Sequence, residues 1–175
     1  GPVAPIVIAD VPKEETSGAN EMAAAGRVKV IQGSVSIVHS DGQKSVVTNE
    51  KEGVLREGDV IESGKEAGAV VHFNGGNKLH VQPETTVELK EFKDQQSAAN
   101  RKLMMNLIKG KIRNQVEQKY NGKTSYYRVL TKGAVAGVRG TDFILSHFEG
   151  AKMETRVETL GGEVVFQDLD ETETR

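Results

Sequence analysis

Short apolar alternations cut by glycine and asparagine turn signals leave this chain little room for anything but β-structure. From Arg27 onward, Val28, Val30, Val35, Ile37 and Val38 are β-branched and nearly alternating, with Gly33 between them as a bend or bulge. Asp41-Gly42 is a hairpin signal, and Gly53 to Gly64 reads as a turn, a short strand and another turn. Ala69, Val71 and Phe73 alternate with Val70 and His72; after Asn74-Gly75-Gly76-Asn77, Leu79 and Val81 alternate with Lys78 and His80. Facing side chains share a face, which predicts Phe73 opposite Leu79, Val71 opposite Val81, His72 opposite His80, and a loop at Gly75 to Asn77. Thr85 to Glu91 is a further strand, and the polar stretch Asp94 to Asn100 reads as a loop or a short helix.

The later part continues the pattern. Leu103 to Ile108 fits both a helical face and a strand; the scarcity of other helical patterns favours strand, with Ile112 to Val116 as another after Gly110. Asn121-Gly122 predicts a hairpin between Val116–Tyr120 and Ser125–Leu130. Phe143–Phe148, Met153–Leu160 and Gly162–Phe166 follow, the last two divided by Gly161-Gly162. Some twelve short strands with closely spaced turns predict one all-β domain, a twisted β-sandwich or a short irregular β-solenoid. The expected organisation is a flexible arm over residues 1–25, a β-domain over 26–167 and an acidic tail over 168–175. The arm holds three of the four prolines, and such a composition buries too little to order itself.

Composition removes several chemistries. There is no Cys, hence no disulfide, thiolate metal site or cysteine nucleophile. No run of 18 apolar residues exists to span a membrane as a helix. Neither a Gly-x-Ser-x-Gly nor a His-Glu-x-x-His motif is present, so no catalytic residue is assigned. His72 and His80 facing each other supply half a tetrahedral metal shell and no more; neither metal nor cofactor is expected.

The least ordinary stretch is Thr131 to Phe143, with Gly133, Gly137 and Gly140, one Arg among small apolar residues, and Thr141-Asp142 before Phe143-Ile144-Leu145. Its glycine spacing fits neither a Walker loop nor a dinucleotide loop, so the glycines serve a bend or a close backbone approach. Gly137, Arg139, Gly140, Thr141 and Asp142 form the expected structural signature. A guanidinium among apolar neighbours needs a carboxylate or carbonyl partner. Asp142 is nearest, with Glu158 and Glu163 as alternatives; the rival role for Arg139 is an exposed ligand contact.

These stretches resemble a FecR-type domain over roughly residues 27–166. Leu55-Arg56-Glu57-Gly58-Asp59-Val60-Ile61 is similar to that family's leucine, Gly-Asp and hydrophobic pair, and Ala69 to Gly76 to its strand ending in a polar-Gly turn. Leu107-Ile108-Lys109-Gly110-Lys111-Ile112-Arg113 resembles its Gly-centred strand pair, and Tyr127 to Phe143 its most specific signature. The resemblance implies a non-enzymatic bacterial module, periplasmic or otherwise in the cell envelope, that binds a protein in regulation, signalling or scaffolding.

Charge supplies the competing expectation. Residues 90–133 hold 11 Lys/Arg against 3 Asp/Glu, while 1–89 and 134–175 each carry a net −5. Either outward strand positions lie beside acidic ones, or a basic face meets an anionic partner. The candidate ligand face is Lys109, Lys111, Arg113, Tyr120, Tyr126 and Arg128, whose tyrosines would stack on a sugar ring of peptidoglycan or a surface glycan. Nucleic acid is not expected from so few aromatics and no recognised nucleic-acid motif. Open sheet edges allow a dimer without specifying one.

Overall fold

The computed structural model describes residues 23–150 and 153–168. The chain forms twelve strands there and no helix: β1 (Ala24–Gln32), β2 (Val35–Val38), β3 (Lys44–Val47), β4 (Gly53–Arg56), β5 (Val60–Ser63), β6 (Gly68–Phe73), β7 (Lys78–Val81), β8 (Thr86–Lys93), β9 (Lys102–Gln115), β10 (Tyr126–Thr131), β11 (Ala134–Glu149) and β12 (Met153–Asp168). The all-β architecture is the one the alternation dictates. All twelve lie in one sheet, ordered β3-β2-β5-β8-β9-β7-β6-β1-β4, with β10, β11 and β12 joined to it through β9. The ends of that path, β3 and β4, are consecutive in the chain and linked by a Thr48–Lys51 bridge, so the sheet nearly closes into a barrel. Its inward positions, among them Ile37, Val71, Leu79, Leu103, Met105, Ile112 and Leu145, form a continuous core. Each such side chain contributes roughly 1.5–3 kcal/mol of burial.

The spine is β9. The sequence suggests two strands around Gly110; the structure has one, bent there. Before Gly110, β9 pairs with β8 and β10; after it, with β7 and β11. Gly110 sits at φ 105, and a Cβ there would come within 2.5 Å of Thr85 Cα. The Thr85 hydroxyl accepts from Lys111 N–H at 3.0 Å, so only a glycine lets the strand turn this corner.

Three other expectations change. The hairpin β6–β7 pairs Ala69 with Val81, Val71 with Leu79 and Val70 with His80, and its three-residue loop is Asn74–Gly76. The inside–outside parity holds, but the register slides because Asn77 is drawn into the core. Its Oδ1 accepts Glu117 N–H at 2.7 Å and Gln118 N–H at 3.1 Å, and its Nδ2 donates to the Tyr120 hydroxyl at 2.7 Å. Those partners lie about forty residues downstream, beyond the reach of a local pattern. Asn121-Gly122 does make a turn, with Gly122 N–H on Ser125 O at 2.8 Å, but it does not join antiparallel strands. Residues 116–125 cross back, and β10 pairs parallel with the first half of β9. Gly161-Gly162 lies within the single strand β12, where its register against β11 shifts.

The Thr131–Phe143 stretch becomes a corner. Ala134 to Val138 pairs with β10, whereas Asp142 to His147 pairs with β9, and the register with β12 slips between Val138 and Thr141. Tyr127 packs beneath, wholly buried, its hydroxyl donating to Asn114 Oδ1 and its ring edge-on to Tyr120 and Phe143. Residues 1–22 and 169–175, which include most of the expected arm and tail, and the side chains at positions 139–141, 162, 163 and 168 lie outside the description.

Candidate functional site

Alternation along β10 sends Tyr127 and Val129 inward and Tyr126 and Arg128 outward. Register then aligns one row across three strands: Arg128 opposite Gly137, and Gly137 opposite Val165. The next row is Leu130, Val135 and Gln167. Because Gly137 has no side chain, the outer face is hollow between Arg128 and Val165. The resulting trough has a volume of ≈ 380 Å³ and is lined by Tyr126, Arg128, Val135, Gly137, Val165 and Gln167 among others.

Gly137 is unlike Gly110. Its φ lies outside the left-handed region, and the nearest atom to a Cβ built on it is Val165 O at 4.0 Å. Neither conformation nor crowding requires a glycine, so the physical consequence of this one is the trough.

Arg128 is held in place rather than loose. Its guanidinium carbon lies 4.0 Å from the Tyr126 ring centroid, and Nη2 donates to Gly122 O at 3.2 Å. Tyr126 is anchored in turn by a short hydrogen bond from its hydroxyl to Glu91 Oε1. Loss of solvent, and then that carboxylate, push the Tyr126 phenol up to about 12, so it remains the neutral donor at physiological pH. Among the described residues Arg128 has no carboxylate partner. An oriented guanidinium with free N–H groups at the wall of a half-apolar trough suits a carboxylate carried on an apolar stem.

The other expected residues do not converge here. Tyr120 is only 6% exposed and its hydroxyl is bound by Asn77, which removes it from any ligand face. Lys109 and Lys111 are exposed, but on the two sides of the Gly110 bend, away from β10. Arg113 is committed: Nε and Nη2 hold the two oxygens of Asp142 at 3.0 and 2.6 Å. That pairing lowers the Asp142 carboxyl; the Arg139 side chain, for which Asp142 is the nearest expected partner, lies outside the described residues. His72 faces Lys78 and His80 faces Val70, with His80 Nε2 2.6 Å from Gln115 Oε1, so the two imidazoles do not form a cross-strand pair.

Two polar clusters carry no motif in the sequence and are assembled by turns and strand pairing. Asp59, buried in the turn after β4, accepts Arg56 N–H at 2.8 Å and contacts His39 Nδ1 at 3.2 Å, while His39 Nε2 lies 2.8 Å from Ser45 Oγ. Burial raises the Asp59 carboxyl. Ser45 stands exposed on the terminal strand β3, so the relay ties down a turn and an edge. His147, fully buried, contacts Thr155 Oγ1 at 2.6 Å and Glu149 Oε2 at 2.9 Å, pinning β12 to β11. Of the trough, only Tyr126, Arg128 and Gly137 stood out in the sequence. Val135, Val165 and Gln167 lie two apart on their strands, but nothing local says that those strands are neighbours.

A family model described as FecR protein matches residues 59–165. That span holds the whole trough except Gln167. No curated protein and no solved structure matches the chain.

Proposed function

The chain belongs to the FecR protein family, and on that premise we propose that it is a non-enzymatic regulatory module that binds a partner protein in the bacterial cell envelope. The family is a bacterial, regulatory and signalling one. The observation that carries the binding reading is the row Arg128–Gly137–Val165, in which an oriented guanidinium with no carboxylate partner among the described residues borders an open trough. The ligand group is a carboxylate side chain of the partner, its stem lying over Gly137 against Val135 and Val165. A glycan is the less favoured ligand, because one face of the Tyr126 ring is already covered by Arg128.

The test compares wild-type protein with Gly137→Val and Arg128→Gln as baits for solubilised envelope proteins, at low and high salt. A partner retained by the wild type, lost from both variants and released by salt supports the reading. Identical capture by all three baits overturns it. Sedimentation with purified peptidoglycan sacculi addresses the glycan reading: trough-dependent co-sedimentation would replace the protein partner with the cell wall.

A further inference from the structure

We propose that the partner also adds a β-strand to the open edge of β12 at Val164–Gln167, as an extended segment with apolar residues at alternate positions and basic residues at its ends. The inference rests on the reading of the domain as a protein-binding module. It does not require the carboxylate in the trough.

Strand β12 pairs with β11 and with no other described strand along its 16 residues. Its far edge therefore presents N–H and C=O groups unused by any described strand, a template for another chain. Edges of that length are ordinarily protected by charge. The first half is: Glu154, Arg156 and Glu158 all stand exposed at alternate positions. The register shift against Phe143 then changes which positions face outward. Beyond it, Val164-Val165-Phe166-Gln167 carries no charge, and Val165 is 55% exposed. Val164 and Phe166 pack only partly against the core, so inward residues of an added strand would complete their burial. The unprotected half also borders the trough through Val165, making one continuous surface.

Charge selects the occupant. Glu163 and Asp168 flank the four uncharged residues, and the segment 134–175 as a whole is net −5. A second copy of this chain would bring the same net-negative segment to this one, where like charges repel. A segment with Lys or Arg at its ends is complementary. Because the outward parity changes part-way along β12, the straight stretch available is short, which fits a short strand better than a long one.

The experiment selects from a displayed library of random octapeptides on the wild-type protein. Enriched peptides are synthesised plain and with alternate amides N-methylated, and amide hydrogen exchange is followed at Val164–Gln167. In an antiparallel pair, N–H groups point alternately to the partner and away. Val164→Pro and Val165→Pro therefore sample both sets, and the one that keeps the wild-type melting temperature is the edge variant. The expected result is Pro-free peptides with alternating apolar residues and basic ends that protect these amides. Their affinity should fall at least roughly tenfold on N-methylation and on the edge variant. Peptides indifferent to both changes overturn strand addition, as does a failure to enrich any. If enriched peptides are lost from Gly137→Val but kept by the edge variant, the trough reading stands and the edge proposal fails. Dimerisation of the wild type that disappears in the edge variant makes a second copy the occupant and equally overturns the proposal.

Discussion

The same substitution, glycine to alanine, should have opposite signs at two positions in neighbouring strands. At Gly137 the backbone is ordinary and a new Cβ meets nothing nearer than 4.0 Å. Alanine there restricts the unfolded chain at no native cost, so it should stabilise by about 0.4–1 kcal/mol. Valine, suited to a strand, should be at least neutral while filling the trough. At Gly110 the backbone is at φ 105 and a Cβ would sit within 2.5 Å of Thr85 Cα. The conformational penalty is about 1–2 kcal/mol, and forced displacement in a packed site adds roughly 1–3 kcal/mol. Gly110→Ala should therefore lose about 2–5 kcal/mol. Urea unfolding at fixed pH measures both through the midpoint at constant slope. Destabilisation by Gly137→Ala of more than about 1 kcal/mol would mean that the glycine is structural, and the argument that it exists to open the trough would fail. A neutral Gly110→Ala would refute the account of the β9 corner.

Other outcomes follow from single contacts. Asn77→Ala strands two backbone N–H groups and the Tyr120 hydroxyl, and should cost roughly 2–4 kcal/mol in the same assay. Arg113 holds the Asp142 carboxyl below its ordinary value, so the stability this pair contributes is present above the unfolded carboxylate pKa and is lost as pH falls through the lower folded value. Arg113→Ala should accordingly flatten the loss of stability on acidification below about pH 4, measured by melts at stepped pH; an unchanged slope would show that the pair does not form in solution. The Tyr126 phenol, raised to about 12 by burial and Glu91, should titrate above the ordinary tyrosine range in ultraviolet absorbance, and Glu91→Gln should bring it down.

The sequence by itself determined the all-β class and, along most of the strands, which residues face inward, because both depend on a period of two that is local to each run. Val71, Phe73 and Leu79 are inside as their alternation requires, and the loop between them is three residues long as expected. The family signature around Gly137 and Asp142 was legible for the same reason: it is contiguous. Tertiary structure alone decided which strands are neighbours and in what register. Nothing near Asn121-Gly122 says that β10 will lie parallel to β9 rather than fold back as a hairpin. Asn77 reads as a loop residue until hydrogen bonds from residues 117, 118 and 120 are known. Asp142 is held by Arg113, 29 residues away, because two strands meet there. The trough follows the same logic. Arg128, Gly137 and Val165 lie on three different strands and become a site only when two ladders set them in one row, since hydrogen-bond register is a property of pairs of strands and not of either strand's sequence.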